Sequence, residues 1–350
     1  MNILRYLYDA EYLSAALGDA HVAVLIVITL AGIIVLSKGA DWMIDGVVSL
    51  ALKTRIPTIV IGATILSLGT TTPEASVSVM AAWMGDGGLA LGNAVGSIIA
   101  DTGLIFGLTC IFAVTPADRF ILNRTGWVQV GTATLLVVFA LASWYRSPAE
   151  PTLYRWVGVI FLVMLMAYMA LSVHWARRSS AVIPAGGGTE PLKTMDTPRS
   201  WILIIPGLVL VLAGARVLIP CATETAFRVG VPNDVIAATM VALGTSLPEL
   251  MTAIAAVRKG HPEITVGNIV GADVLNCLFV IGASAAVSPL SIPPTFFIFH
   301  FPAMLVILYS FRFFIFMNRD GTFKRWQGIW LLSIYLVYVT LQYAFNLGGP

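Results

Sequence analysis

Hydrophobic residues run along this chain in long unbroken blocks separated by short polar breaks, not at the spacing of two that marks strands. About 20 apolar residues, rising 1.5 Å each as a helix, cross the hydrocarbon of a bilayer. Ten blocks qualify: 21–48, 57–83, 89–114, 125–145, 153–175, 201–228, 233–257, 264–286, 292–316 and 326–346. The pattern therefore predicts ten transmembrane helices, the long first and sixth tilted or bent. The N-terminal stretch MNILRYLYDAEYLSAALGDA lacks the basic start and cleavage site of a signal peptide, and is expected to remain as a short interfacial helix. One break is a true linker, residues 176–200, rich in Gly, Pro and Ser and unable to bury a core. It leaves five blocks on each side.

Composition agrees with the pattern. Hydrophobic residues are 58% of the 350 and charged residues 11%, against about 25% charged in soluble domains. Too few charges remain to coat a surface facing water, so the lipid bilayer is the expected partner. A soluble enzyme, a disordered regulator and a disulfide-stapled secreted domain are all excluded. A net charge of +2 offers no footprint for nucleic acid. Cys110, Cys221 and Cys277 lie in apolar blocks without metal-ligand or CxxC spacing, so they are expected to pack. No cofactor and no obligatory protein partner is implied.

Charge placement gives orientation. Fourteen of the 20 Lys and Arg fall in the breaks after the first, third, fifth, seventh and ninth blocks. Only Arg5, Arg146, Arg155 and Arg228 fall on the other side, while Lys38 and Arg216 lie within blocks. The positive-inside rule then puts both termini outside the cytoplasm and the linker inside it. The short loops suggest a prokaryotic inner membrane.

The chain also repeats itself. An offset of 175 residues lays 39–110 over 214–285 without a gap, with 21 of 72 positions identical. Pro57 meets Pro232, Gly69-Thr70 meets Gly244-Thr245, Pro73-Glu74 meets Pro248-Glu249, and Gly92-Asn93 meets Gly267-Asn268. Hydrophobic composition alone would match Leu, Val and Ala, not Gly, Pro, Asn and Glu together. Five spans per repeat is an odd number, so the second copy enters the membrane from the opposite side. The expected organisation is a first repeat at 1–175, a cytoplasmic linker at 176–200 and a second repeat at 201–350. The expected fold is an all-α integral membrane protein of ten helices in two inverted repeats. That architecture, interrupted in matching places, is typical of secondary transporters.

The chemistry lies in the repeated residues. GTTTPE (69–74) and GTSLPE (244–249) each place a proline and an acid inside an apolar block. Proline has no N–H and crowds the carbonyl four residues back, so Pro73 should free the carbonyl of Gly69 and Pro248 that of Gly244. Thr70 with Glu74, and Thr245 with Glu249, are four apart and share a helix face. A carboxylate at mid-membrane costs at least about 2.5–3.5 kcal/mol and marks a functional site by default. The surrounding groups are hydroxyls and carbonyls with no His or Cys. Such hard oxygen ligands suit Ca²⁺, Na⁺ or Mg²⁺ rather than zinc, copper or iron.

A second pair is GNAVGSIIAD (92–101) and GNIVGADVLN (267–276). Asn93, Ser97 and Asp101 recur every four residues on one stripe, and Asn268, Ala272 and Asn276 form its counterpart. Asp273 stands beside that stripe and can border the same cavity. The two asparagines are also natural helix-to-helix hydrogen bonders, while Asp101 and Asp273 point to ion binding or proton exchange. His21, His174, His261 and His300 share no spacing and read as interfacial or loop residues. The Trp and Tyr residues fit interfacial belts.

With these motifs the sequence resembles the sodium/calcium exchanger family, whose two α-repeats carry G-T-S-L-P-E followed by G-N-x-x-G-S-N. The resemblance implies Glu74 and Glu249 as calcium ligands, helped by the carbonyls of Thr70 and Thr245. It implies sodium sites at Thr71, Ser246 and Ser97, with Asp101 and Asn276 on the family's polar position four residues after the serine. It also implies that the first and sixth spans slide across a core of spans 2, 3, 7 and 8. Three departures stand out: Ala272 replaces the second-repeat serine, Ile98 the first-repeat asparagine, and Asp273 the second-repeat asparagine. The expected function is Ca²⁺/Na⁺ antiport by alternating access rather than catalysis. A proton-coupled exchanger of Ca²⁺ or another divalent ion is the alternative. A cation channel is a further rival, although a channel needs no inverted repeats around two broken helices.

Overall fold

The computed structural model describes residues 21–54, 56–117, 119–178, 197–228, 246–318 and 320–345. Eleven helices are found among them. They are α1 (Val22–Thr54), α2 (Thr58–Thr70), α3 (Thr72–Trp83), α4 (Gly87–Phe112), α5 (Arg119–Arg146), α6 (Arg155–Arg178), α7 (Thr197–Arg228), α8 (Leu247–Arg258), α9 (Pro262–Val287), α10 (Phe296–Met317) and α11 (Arg325–Ala344). Seven of the described helices are long and apolar enough to cross a membrane: α1, α4, α5, α6, α7, α9 and α10. The expected second span is split by a turn at Thr71, and the expected seventh is described only from Ser246. The N-terminal segment and most of the linker lie outside the described residues. The linker's ends do not match its composition: 176–178 complete α6 and 197–200 open α7.

The 175-residue offset is written into the backbone. It carries α3 onto α8 and α4 onto α9, residue for residue. Gly85 and Gly260, at the turns after α3 and α8, hold φ of +86° and +78°. Only glycine takes that conformation without strain, which explains its presence at both turns. Within α4 and α9 the helix widens to π-helical turns at Asp101–Phe106 and Asn276–Ile281, again one offset apart. Such bulges cluster at functional sites, and here each begins on a residue of the candidate set.

The copies are inverted, as the pairing of α1 with its counterpart α7 demonstrates. Ser49 lies against Ser200, Gly39 against Gly207, Gly32 against Gly214, and Leu25 against Cys221, so the two helices run antiparallel. Gly32, Gly39 and Gly46 recur every seven residues on this seam. A Cβ on Gly39 would stand 2.7 Å from the Gly207 carbonyl oxygen, and one on Gly207 would stand 2.7 Å from that of Gly39. Small residues thus set the distance between the backbones. Two short strand pairs cross-link the repeats: β1 (Thr115–Pro116) with β4 (Thr322–Phe323), and β2 (Thr152–Leu153) with β3 (Leu290–Ser291), both antiparallel.

Two bodies of packing result. The larger core joins α4, α5, α6, α9, α10 and α11 through residues such as Phe106, Phe161, Phe301 and Phe311. The smaller one seats α1 and α7 on that body, with Met43, Ile44, Val47, Leu50 and Ala51 of α1 against Ile61, Leu66, Ala255, Ala256 and Ile264. Only one half of α1 is sealed in this way. Toward its other end Val24, Val27, Leu30 and Ile34 are exposed.

Several side chains correct the sequence reading. His300 is not interfacial: it is buried in α10, where its ring Nδ1 lies 2.8 Å from the Tyr338 hydroxyl. Tyr168, Tyr335 and Tyr338 are buried too, because each packs its ring into the bundle, whereas most of the tryptophans face outward. His261 lies in the turn between α8 and α9, the loop position expected of it, with Nδ1 3.1 Å from Glu263 Oε1. The three cysteines are buried and free, as expected of packing residues.

Candidate ion-binding site

The site is built where α3 and α8 begin. α2 ends at Thr70, Thr71 forms the turn at φ −80°, ψ −2°, and α3 begins at Thr72. In the other repeat Ser246 occupies the matched place at φ −86°, ψ 8°, and α8 follows it. Pro73 and Pro248 fall in the first turn of the new helix, where a missing N–H costs nothing. This corrects one expectation: the Gly69 carbonyl is not freed, because a backbone N–H of the capping turn donates to it. The break comes instead from the helix restarting at Thr71. Gly244 and Thr245 lie outside the described residues.

Glu74 and Glu249 stand in the first turns of α3 and α8, each about 1% exposed. Among the described residues, neither oxygen of either carboxylate has a hydrogen-bond partner. The same holds for Thr71 Oγ1, Ser246 Oγ, Asp101 Oδ1, Asp273 Oδ1 and Asn276 Oδ1. That makes nine buried oxygens without partners, four from the glutamates and five from their neighbours. Thr70 and Ser97 are buried in the same region. All nine described members of the ten-residue candidate set are therefore buried.

The acids sense one another across the repeat boundary. Glu249 lies within electrostatic reach of Glu74, Asp101 and Asp273, and Glu74 within reach of Asp101. Thr70 and Thr71 lie near the Glu249 carboxyl, and Ser246 near that of Asp101. None of the ion pairs among the described residues involves any of the four acids. No three carboxylate, His or Cys side chains among the described residues converge as a metal cluster on their own. Hydroxyl, amide and backbone oxygens must complete any coordination shell. Each buried polar atom left without a partner costs about 1–3 kcal/mol. Nine together are a heavy burden on folding, and one that a cation coordinated by hard oxygens would relieve.

Some residues hold the site rather than enter it. Asn93 donates from Nδ2 to the Glu74 carbonyl (3.2 Å) and to Ser78 Oγ (2.9 Å), tying α4 to α3 behind the acid. Asn268 donates to Thr252 Oγ1 at 3.3 Å and accepts from Thr70 Oγ1 at 3.5 Å. Both asparagines thus do the helix-bridging work that their side chains allowed. Asp273 Oδ2 accepts from Thr102 Oγ1 and Gln129 Nε2, both at 2.5 Å. Gln129 was missed in the sequence, although a buried amide inside the apolar block 125–145 was its available signal.

The family profile described as "Sodium/calcium exchanger protein" matches residues 24–174 and 199–344. The chain belongs to the sodium/calcium exchanger family. Similar proteins include the sodium/calcium exchanger MaX1 of Methanosarcina acetivorans, 28% identical over 92% of this chain and 99% of that one. An uncharacterized membrane protein of Methanocaldococcus jannaschii is 30% identical over 89% of this chain and 95% of its own length. Among solved structures, the sodium-calcium exchanger NCX_Mj soaked with 10 mM Na⁺ and zero Ca²⁺ matches with a TM-score of 0.76 at 26% identity. That match covers 91% of this chain and 99% of the other. This exchanger is thus an integral membrane transporter with a mostly helical fold, from a family of antiporters rather than enzymes.

Proposed function

We propose that this exchanger exports Ca²⁺ against Na⁺ entry by alternating access. The observation that carries this reading is the set of nine buried oxygens without partners among the described residues, eight of them from matched positions of two inverted repeats. Glu74 and Glu249 ligate Ca²⁺ with the carbonyls of Thr70 and Thr245. Thr71, Ser246 and Ser97 serve flanking Na⁺ sites, and Asp101, Asn276 and Asp273 complete the shell. Both ions need the two glutamates, so they compete, and only a loaded site has its charge neutralised. An empty site carries facing carboxylates in a low dielectric, which disfavours the occluded state. That penalty makes the movement of one ion conditional on the return of the other.

The asymmetry of α1 supports a facing state. Its sealed half, 43–51, lies toward Thr54, the end with Lys53 that the positive-inside rule puts in the cytoplasm. The conformation described is then closed to the cytoplasm, with termini outside a prokaryotic inner membrane. α1 and α7, knit by their glycines, move as one unit over the core.

One observation favours proton coupling as a second reading. Ala272 and Ile98 are fully buried where the family motif has a hydroxyl and an amide, and Asp273 puts a buried carboxylate where the motif has an asparagine. Polar Na⁺ ligands are fewer and acids more numerous. ⁴⁵Ca²⁺ uptake into Na⁺-loaded proteoliposomes, beside Na⁺-free vesicles with an acid interior, separates the two. Uptake driven by Na⁺ supports the first reading, uptake driven only by the pH gradient the second. No flux under either gradient would remove Ca²⁺ as the substrate.

A further inference from the structure

Among the described residues, the candidate ligands ride on or beside α2, α3, α4, α8 and α9, and a side chain from outside these helices touches one of them. Gln129 of α5 donates from Nε2 to Asp273 Oδ2 at 2.5 Å, on the same oxygen that Thr102 Oγ1 of α4 meets at 2.5 Å. Both donors and the acid are buried, and Asp273 Oδ1 is left without a partner. One oxygen of the carboxylate is thus held by two elements, α4 and α5, while the other is left without a partner. A carboxylate gripped on one oxygen cannot rotate freely, which fixes where the other points.

The other repeat shows that the fold does not require this arrangement. The 175-residue offset carries Asp273 onto Ile98, Thr102 onto Cys277 and Gln129 onto Met304. All three counterparts are buried and apolar. One repeat packs this place with hydrocarbon and sulfur, and the other builds a polar triad from the same positions. Packing alone is met by the apolar version, so the polar version answers to something that only one repeat does.

We propose that Gln129, with Thr102, is a positioning residue that aims Asp273 Oδ1 at the transported cation and thereby sets ion affinity. The inference rests on the reading of Asp273 as part of the ion shell. Gln129 does not touch the ion; it acts through Asp273. α5 is thereby coupled to a site otherwise made by the repeated motif segments.

The variant Gln129→Met copies the counterpart residue and keeps the volume close to native. In ⁴⁵Ca²⁺ flux through proteoliposomes, Gln129→Met should raise the Ca²⁺ concentration for half-maximal transport about 10–100-fold, the usual effect of losing a ligand's supporting hydrogen bond. Thr102→Cys should act in the same direction. The maximal rate should fall less than the affinity, and the melting temperature of the ion-free protein should hold or rise. The deciding arm is Asp273→Asn with and without Gln129→Met: the second change should add nothing once the carboxylate is gone. Wild-type affinity in Gln129→Met would overturn the proposal, as would a loss that persists undiminished in the Asp273→Asn background, which marks a packing role. Absence of any flux in the wild-type protein would instead bring down the transport reading, and this inference with it.

Discussion

Thr71 and Ser246, 175 residues apart, share one backbone conformation: each sits near ψ 0° immediately before a helix, α3 or α8, with a proline two residues on and an acid three residues on. Their hydroxyl oxygens are both buried without partners. The repeat has therefore preserved a conformation as well as a set of side chains. α3 and α8 each carry a buried glutamate in their first turn, and the two acids lie within electrostatic reach of one another.

Removing one glutamate charge should uncouple function from stability. Glu74→Gln or Glu249→Gln leaves the shape intact but deletes a charged ligand worth about 1.5–3 kcal/mol, or roughly tenfold to hundredfold in affinity. Ca²⁺ flux should fall by at least that factor in either variant. The ion-free protein should melt higher than wild type, because one of several mutually repelling buried carboxylates is gone. Calorimetry beside flux checks both halves, and a lower melting temperature would mean that the glutamate is structural.

The prolines start the second helical segments, so supplying an N–H should help the helix run on through the break. Pro73→Ala is expected to lower apparent Ca²⁺ affinity about tenfold, the order seen when metal ligands lose their orientation. Its melting temperature should be unchanged or higher, since Pro73 is only half-buried. Pro248→Ala should lower affinity in the same way, but Pro248 is buried, so its melting temperature should fall. Unchanged transport in both would show that other contacts hold the break.

Much of this site is legible in the sequence, for stated reasons. Glu74 and Glu249 stand out because acids are rare in apolar blocks, and the prolines mark where the helices restart. The π-helical turns at Asp101 and Asn276 leave no such mark, since they depend on a shift in hydrogen-bond partner that any apolar stretch accommodates. The Gly69 carbonyl was misread because proline removes one donor without preventing another in the capping turn from taking its place. Gln129 and Asp273 are 144 residues apart, and only the packing of α5 on α9 brings them together. His300 looks interfacial by position, and only the Tyr338 hydroxyl explains its burial.

An ion pair exists on one side of an otherwise two-fold scaffold. Lys259 Nζ, in the turn between α8 and α9, lies 2.6 Å from Asp45 Oδ1 on α1. The offset places Met84 and Pro220 at the corresponding positions, which cannot pair. The pair is partly exposed and so is worth only about 0.2–1 kcal/mol, screened further by salt. Lys259→Gln should shift the balance of facing states by about 1.5- to 5-fold away from the one described. Hydrogen–deuterium exchange in residues 43–51 should speed up accordingly, and less so at high salt, where the pair is already weakened. No change at low salt would make the contact incidental.

The α1–α7 seam should tolerate no added side chain at its centre. Gly39→Val puts methyl groups where a Cβ alone would stand 2.7 Å from the Gly207 carbonyl oxygen and 2.9 Å from Leu210 Cβ. Overpacking of this kind costs about 1–3 kcal/mol. A clear fall in detergent melting temperature is expected, together with slowed transport. Gly96→Ala is the contrast, because nothing lies within 4 Å of a Cβ there, and it should melt like wild type.

The central claim is that one cavity, lined by carboxylates from both repeats, takes Ca²⁺ and Na⁺ in competition. Equilibrium ⁴⁵Ca²⁺ binding to the purified protein, titrated with Na⁺ at fixed pH, tests it most directly. Saturable Ca²⁺ binding that Na⁺ displaces, and that disappears in Glu74→Gln/Glu249→Gln, is the result expected. Ca²⁺ binding that survives the double variant, or that no concentration of Na⁺ displaces, would contradict it.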